Sequence, residues 1–267
     1  MPIEFVGSAT ATATANAGTS IDLTALTGGI GSAAAAGDIV LLLRTATGTM
    51  SSLDLSVSGY ERVTDLAPAV LFDDTVNHEV FWKLMPGTPD TSITLPLASS
   101  SVEQSAIAMV FRGVDPTTPF DATRVTASST TTATPNPAQI TTVTNNAVVV
   151  VMASSNSEDA VVTSPSGYST AIVASIGDSQ SYACYKAIPS AGAENPAAFT
   201  NVANPSGQDI YGCTTLALRP AAGAGGNIKV WNGSAWVARP VKVWNGTNWV
   251  TKPAKRWTGT AWVTTNY

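Results

Sequence analysis

Acid–base and metal chemistry have little to work with in this chain. One histidine, His78, and two cysteines, Cys184 and Cys213, occur in 267 residues, and charged side chains make up only 12%. One His and two Cys cannot complete a four-ligand zinc site without carboxylates, and neither CxxC nor HxxxH spacing occurs. A nucleophile system needs Ser or Cys beside a base held by an acid. His78 sits in the polar string Asp73-Asp74-Thr75-Val76-Asn77-His78-Glu79 without a GxSxG elbow, and it reads as a surface or loop histidine. Paired carboxylates for glycoside hydrolysis could be drawn from Asp73, Asp74 and Glu79, or from Glu158 and Asp159. The same clusters could hold Ca²⁺ with Asn77 or Asn156, but no spaced loop like an EF-hand is present. Phosphate-cradling GxxxxGK[ST] and GxGxxG motifs are missing, and Gly28-Gly29-Ile30-Gly31 lacks a strand–helix setting. No catalytic residue, metal or cofactor is expected.

Long apolar runs are missing too. No stretch of eighteen apolar residues offers a transmembrane helix. Met1-Pro-Ile-Glu-Phe lacks the basic start and apolar core of a signal peptide, so cytosolic synthesis is expected. The net charge is −5, and the basic residues are not clustered, which argues against nucleic acid as a partner. Cys184 and Cys213 lie in apolar strand-like runs and read as two buried thiols; a disulfide would require neighbouring strands.

What fills the chain is Ala, Thr, Ser, Val and Gly, a composition suited to sheets and turns. Short strand-like runs recur: 3–6, 19–24, 38–44, 53–57, 79–85, 92–97 and 106–112. The 38–44 run, Asp-Ile-Val-Leu-Leu-Leu-Arg, is too uniformly apolar for a one-sided strand and suggests burial on both faces. The best helix candidate, 26–36, carries too many glycines.

The same order then returns. Residues 146–152 match 38–44, Ser166-Gly167-Tyr168 matches Ser58-Gly59-Tyr60, 183–189 match 80–86, and 213–219 match 106–112. Near-constant offsets point to two duplicated units, about 1–115 and 116–220, in an all-β antiparallel β-sandwich or jelly-roll body. One pseudo-symmetric sandwich is favoured over two separate ones. Residues 221–226 form a Gly/Ala linker.

The last segment, 227–267, repeats every 13 residues: Trp231-Asn-Gly-Ser-Ala-Trp236-Val, Trp244-Asn-Gly-Thr-Asn-Trp249-Val and Trp257-Thr-Gly-Thr-Ala-Trp262-Val. It holds six of the seven tryptophans, six of the thirteen Lys/Arg and no Asp or Glu. That leaves +6 on the tail against −11 on the body. Each repeat reads as a β-hairpin. Asn232-Gly233 and Asn245-Gly246 suit a two-residue type I′ turn, which would set Trp231 opposite Ser234 and Lys229 opposite Trp236. A four-residue loop bracketed by the two tryptophans is the other register. Pro240 and Pro253 belong at strand starts or connectors. So short a hairpin is marginal alone, so a stack of the three is expected, with further packing on tails of other subunits. Trp231, Trp236, Trp244, Trp249, Trp257 and Trp262 are then the candidate binding residues, either as core of that stack or as platforms for sugar or another protein.

The tail resembles the tandem Trp-Asn-Gly-x-x-Trp-Val hairpins, with Lys-Pro or Arg-Pro joints, at the ends of bacteriophage minor tail and other virion proteins. The body resembles a β-sandwich module of such proteins in its Gly-Asp-Ile-Val-Leu strand at 37–41, Ser-Gly-Tyr at 58–60, Val-Phe-Arg-Gly-Val-Asp at 110–115 and Leu-Ala-Leu-Arg-Pro at 216–220. This implies a non-enzymatic virion structural protein of the tail tip or a tail fibre. Its expected partners are other virion proteins, a homotrimer of itself and host-surface glycan. A capsid decoration or head-spike protein anchored through the hairpins is the alternative, and a polysaccharide-degrading enzyme a more distant one.

Overall fold

The computed structural model describes residues 2–14, 17–47, 56–63, 70–72, 76–97, 103–129, 131–132, 134–156, 162–200, 210–221, 227–252, 255–257 and 262–264. Among these there is no helix; the chain is all-β with antiparallel sheets. Residues 53–55 of the expected 53–57 strand and most of the linker lie outside the described residues. The first half carries β1 (Glu4–Ala13), β2 (Thr19–Asp22), β3 (Ile39–Thr47), β4 (Glu61–Arg62), β5 (Val70–Phe72), β6 (Val76–Leu84), β7 (Ser92–Leu95) and β8 (Glu103–Arg112). The second carries β9 (Val125–Ser129), β10 (Ile140–Thr141), β11 (Ala147–Ser155), β12 (Ile172–Ile176), β13 (Ser179–Ile188), β14 (Ala193–Glu194) and β15 (Tyr211–Leu218). The tail adds β16 (Asn227–Trp231), β17 (Trp236–Pro240), β18 (Lys242–Trp244), β19 (Trp249–Thr251), β20 (Lys255–Trp257) and β21 (Trp262–Thr264).

The two large sheets share one strand order. The first runs β1-β8-β3-β6-β4, with β5 also on β6; the second runs β9-β15-β11-β13-β12. A two-stranded ribbon accompanies each, β2–β7 in the first half and β10–β14 in the second.

Every residue of β3 and of β11 is buried, as the unbroken apolar runs require. One face of each large sheet meets the other sheet. Ile39, Leu41, Leu43, Met109 and Phe111 share a buried cluster with Val148, Val150, Met152, Leu216 and Leu218. The opposite face of the first sheet, with Val40, Leu42 and Phe81, is covered by Ile21 of β2 and by Ile93 and Leu95 of β7. On the second sheet, Val149 and Ala217 lie under Ile140 of β10, and Val151 and Tyr182 under Phe199. The order is therefore ribbon, sheet, sheet, ribbon. Fully burying a Leu, Ile or Phe is worth roughly 1.5–3 kcal/mol, so the two central strands alone supply much of the drive for layering.

The alignment of the two halves differs by one residue from the sequence match. Leu41 pairs with Trp82 and Val150 with Tyr185, so Leu41 corresponds to Val150, an offset one larger than the match of 38–44 to 146–152. A run that is apolar at every position carries no period-two pattern to fix which residue faces which side.

A clamp recurs on both halves. Lys83 Nζ lies 5.3 Å from the Tyr60 ring centre and 2.6 Å from Asp90. Lys186 Nζ lies 5.6 Å from the Tyr168 ring centre and 2.8 Å from Glu194, whose carboxylate also accepts from the Tyr168 hydroxyl. Burial pushes both phenols up, with Asp90 and Glu194 adding to the effect. Gly59 and Gly167 turn the chain into these tyrosines at φ of 77° and 82°, a region where a side chain is strained. The Ser-Gly-Tyr signature is thus an architectural joint.

Cys184 and Cys213 are both free and buried. They lie on β13 and β15, with β11 between them. Two strand spacings put their Cα atoms roughly 10 Å apart or more, beyond disulfide reach. Burial raises both thiols well above their ordinary range. A thiol reagent should therefore modify neither cysteine in the folded protein and both after denaturation, with identical labelling whether or not reductant is added first.

Candidate functional site

His78 is not a surface histidine. Strand β6 begins at Val76, and its alternation turns His78 into the space between the two large sheets, where it is 2% exposed. The core changes character at this end of the sandwich, from aliphatic to hydroxyl-lined. His78 Nδ1 lies 2.7 Å from Ser154 Oγ and Nε2 lies 2.8 Å from Thr214 Oγ1. Ser154 bonds Thr45 at 2.5 Å, Thr45 bonds Ser181 at 2.7 Å, and Ser181 bonds Ser105 at 2.9 Å. The layer joins the two sheets: Thr45, His78 and Ser105 come from the first, Ser154, Ser181 and Thr214 from the second. Each such bond adds about 1 kcal/mol net, and an unpaired buried group would cost about 1–3. The signal in sequence was the Ser and Thr at the ends of the apolar runs, Thr45, Ser154 and Ser155.

This constellation lacks what nucleophilic catalysis requires. Both ring nitrogens face hydroxyls, so no acid orients the imidazole, and Ser154 and Thr214 are fully buried. Burial lowers the His78 pKa to about 3, which leaves it neutral near neutral pH.

Of the acids that could have supplied a carboxylate pair, the described residues include only Glu79. Glu79 projects to the other side of β6, is 2% exposed, and pairs with Arg62 at 3.3 Å. It sits opposite Arg44, itself buried against Gln104 and the Pro96 carbonyl. Burial lowers the Arg44 pKa to about 10, with the Glu79 charge opposing, so the guanidinium stays ionised. Glu79 is thus held in a buried ion cluster with Arg62 and Arg44. Asp73, Asp74, Glu158 and Asp159 lie outside the described residues. Asn77 is buried, and Asn156 accepts from the Ile210 amide at 3.3 Å. Among the described residues no three His, Cys, Asp or Glu side chains converge as a metal site.

The tail repeats are three antiparallel two-stranded ribbons. Their register is the four-residue loop and not the two-residue turn. Trp231 pairs directly with Trp236, Trp244 with Trp249 and Trp257 with Trp262, while Lys229 pairs with Ala238. The asparagine side chain decides this. Asn232 Oδ1 accepts from the Ser234 and Ala235 amides at 2.9 and 2.8 Å, and Asn245 Oδ1 from the Thr247 and Asn248 amides at 2.9 and 2.7 Å. That Asx cap makes Asn the first loop residue. Gly233 and Gly246 follow at φ of 102° and 99°. The Asn245 amide donates to the Asn248 carbonyl, so the adjacent Trp244–Trp249 pair occupies the non-hydrogen-bonded position, where facing side chains come closest. Their ring centres are 5.8 Å apart at 58°.

These indoles remain open. Trp231, Trp244 and Trp249 are 51%, 51% and 64% exposed. The expected stacking of ribbons is not found within one chain: among the described residues each tail strand packs extensively only against its own hairpin partner. A single Val pair, Val243–Val250 in the second ribbon, backs the indole face and is too small to form a core. Pro240 ends β17, and Pro253 lies outside the described residues.

No protein-family model, curated protein or solved structure matches the chain.

Two outcomes follow from this geometry. With its folded pKa near 3 and its unfolded value near 6.5, His78 stabilises the fold fully above about pH 6.5. That contribution declines by about 1.4 kcal/mol per pH unit as pH falls toward 3, because only the unfolded chain takes up the proton. Urea unfolding between about pH 6.5 and 4 should show a shallower pH dependence for His78→Gln than for the parent; equal slopes would contradict a buried neutral imidazole. Asn245→Ala should loosen the second ribbon by about 1 kcal/mol and weaken the exciton couplet of paired indoles in circular dichroism.

Proposed function

We propose that this chain is a non-enzymatic structural protein of a bacteriophage virion, at the tail tip or in a tail fibre, that helps attach the particle to glycan on the host surface. The observation that carries this reading is the open indole pair. Trp244 and Trp249 stand half or more exposed on a basic ribbon that, among the described residues, has no extended packing on the body. An aromatic face presented to water, flanked by polar donors, suits a sugar ring or a matching surface on another protein. The body supplies a stiff acidic support, layered from sheet to sheet, and its histidine and Glu79 are both committed to internal bonds. In this reading the protein works as a homotrimer among other virion proteins, and tails from three copies complete the core that one ribbon lacks.

The charge division favours a second reading as well. A tail at +6 joined to a body at −11 suits a decoration or head-spike protein whose hairpins hold an acidic shell. Particle imaging separates the two by position and by copy number.

Removal of 221–267 should abolish trimer formation in analytical ultracentrifugation and host-cell binding together. A truncated chain that still sediments as a trimer and still binds cells would sink the proposal.

A further inference from the structure

Two aromatic-lined grooves open on the body. One is an open groove of about 520 Å³ lined by Trp82, Phe120, Glu61 and Arg124. The other is lined by Tyr185, Phe5, Ser169 and Thr170 and encloses about 310 Å³. The grooves are built from corresponding positions. Trp82 and Tyr185 lie toward the C-terminal ends of β6 and β13, and each pairs with the matching residue of β3 or β11. Phe120 and Phe5 lie beside Leu218 and Phe111, the matching residues of β15 and β8. The aromatic contacts correspond too: Trp82 meets Phe120 edge-on at 5.3 Å, and Tyr185 meets Phe5 at 4.6 Å.

An aromatic pair lines each groove, and this common part needs no ligand. The rims are where the halves part. Glu61 and Arg62 follow the first Ser-Gly-Tyr turn; Ser169 and Thr170 follow the second. Glu61 sits opposite Trp82 on the edge strand β4 and is exposed. Arg124 places its guanidinium 4.7 Å from the Phe120 ring centre. A carboxylate only accepts hydrogen bonds and a guanidinium only donates them. Flanking an indole and a phenyl, the two complement adjacent hydroxyls, each of which both donates and accepts. The volume falls in the range of small-molecule sites, about 300–1,000 Å³.

We propose that the groove formed by Glu61, Trp82, Phe120 and Arg124 is a saccharide-binding subsite. Trp82 supplies the surface for the ring's C–H face, Phe120 holds the Trp82 ring edge-on and carries Arg124 over its own face, and Glu61 and Arg124 pair with the sugar hydroxyls. The proposal rests on the glycan-attachment reading for its ligand class but not on the tail, since the groove belongs wholly to the body.

Trp82 is the one tryptophan outside the tail, which provides a clean reporter. In the full chain with all six tail tryptophans changed to phenylalanine, Trp82 emission follows the groove alone. Titration with maltohexaose, an oligogalacturonate and a chito-oligosaccharide covers neutral, acidic and acetamido rings. At least one should change Trp82 emission saturably, and Glu61→Ser, which installs the second groove's residue, and Arg124→Ala should each weaken that binding about tenfold. Both side chains are on the rim, and an unchanged far-ultraviolet spectrum will show that the fold persists. Saccharide binding by the parent chain with a silent Trp82 would overturn the groove and leave attachment through the tail standing. Binding indifferent to both rim substitutions would also overturn it. If neither the parent nor the single-indole chain binds any of the three, groove and glycan reading fall together.

Discussion

Both large sheets are apolar on both faces, and water must be kept from all four surfaces. A sheet with one wet face satisfies its residues by alternation; β3 and β11, buried at every position, have no such option. Each sheet therefore needs two covers. The second sheet is one cover for the first, and the small ribbons with their connecting loops are the others. The halves consequently cannot part without exposing the buried cluster they share.

The interface between the sheets is not uniform, and its change of character has a structural use. Aliphatic packing tolerates sliding, whereas hydrogen bonds fix position. The row Thr45, Ser154, Ser181 and Ser105, ending at His78 between Ser154 and Thr214, stitches the two sheets at one end. Groups this deep are favourable only when every partner is present, and two residues inward on the same face the strands carry Leu43, Ile107, Met152 and Ala183 in place of Thr45, Ser105, Ser154 and Ser181. The polar row thus holds the register that the aliphatic part leaves loose.

Much of this was legible in advance for a physical reason, and the rest was hidden for one. Strand content, the doubly covered run at 38–44 and the buried thiols follow from local composition, which burial acts on directly. His78 misled because its neighbours Asn77 and Glu79 are polar, and the residues that satisfy it stand 76 and 136 positions away. No local pattern reports a partner at that distance. The hairpin register turned on whether Asn232 spends its side chain on the loop amides or adopts a left-handed turn; both are native to Asn-Gly, and only the geometry chose. The groove escaped because Glu61, Trp82, Phe120 and Arg124 come from three separate segments, none with a motif of its own.

Two halves with one strand order allow structure and function to be separated residue by residue. Where corresponding positions agree, the fold is sufficient cause: the tyrosine–lysine–carboxylate clamp and the aromatic pair at each groove do the same work twice. Where they differ in chemistry at a solvent-facing position, the fold has no preference to express. Exposed Glu61, against Ser169 after the second Ser-Gly-Tyr turn, is such a difference. An exposed carboxylate confers little on a sheet margin that a hydroxyl finishes in the other half, since exposed charges contribute little to stability. A charged rim at one aromatic groove and a neutral rim at its twin is what differential recognition would leave behind. The same comparison applied to the tail finds the facing Trp pair in all three ribbons, while the Val pair beside it in the first two gives way to Arg256–Val263 in the third.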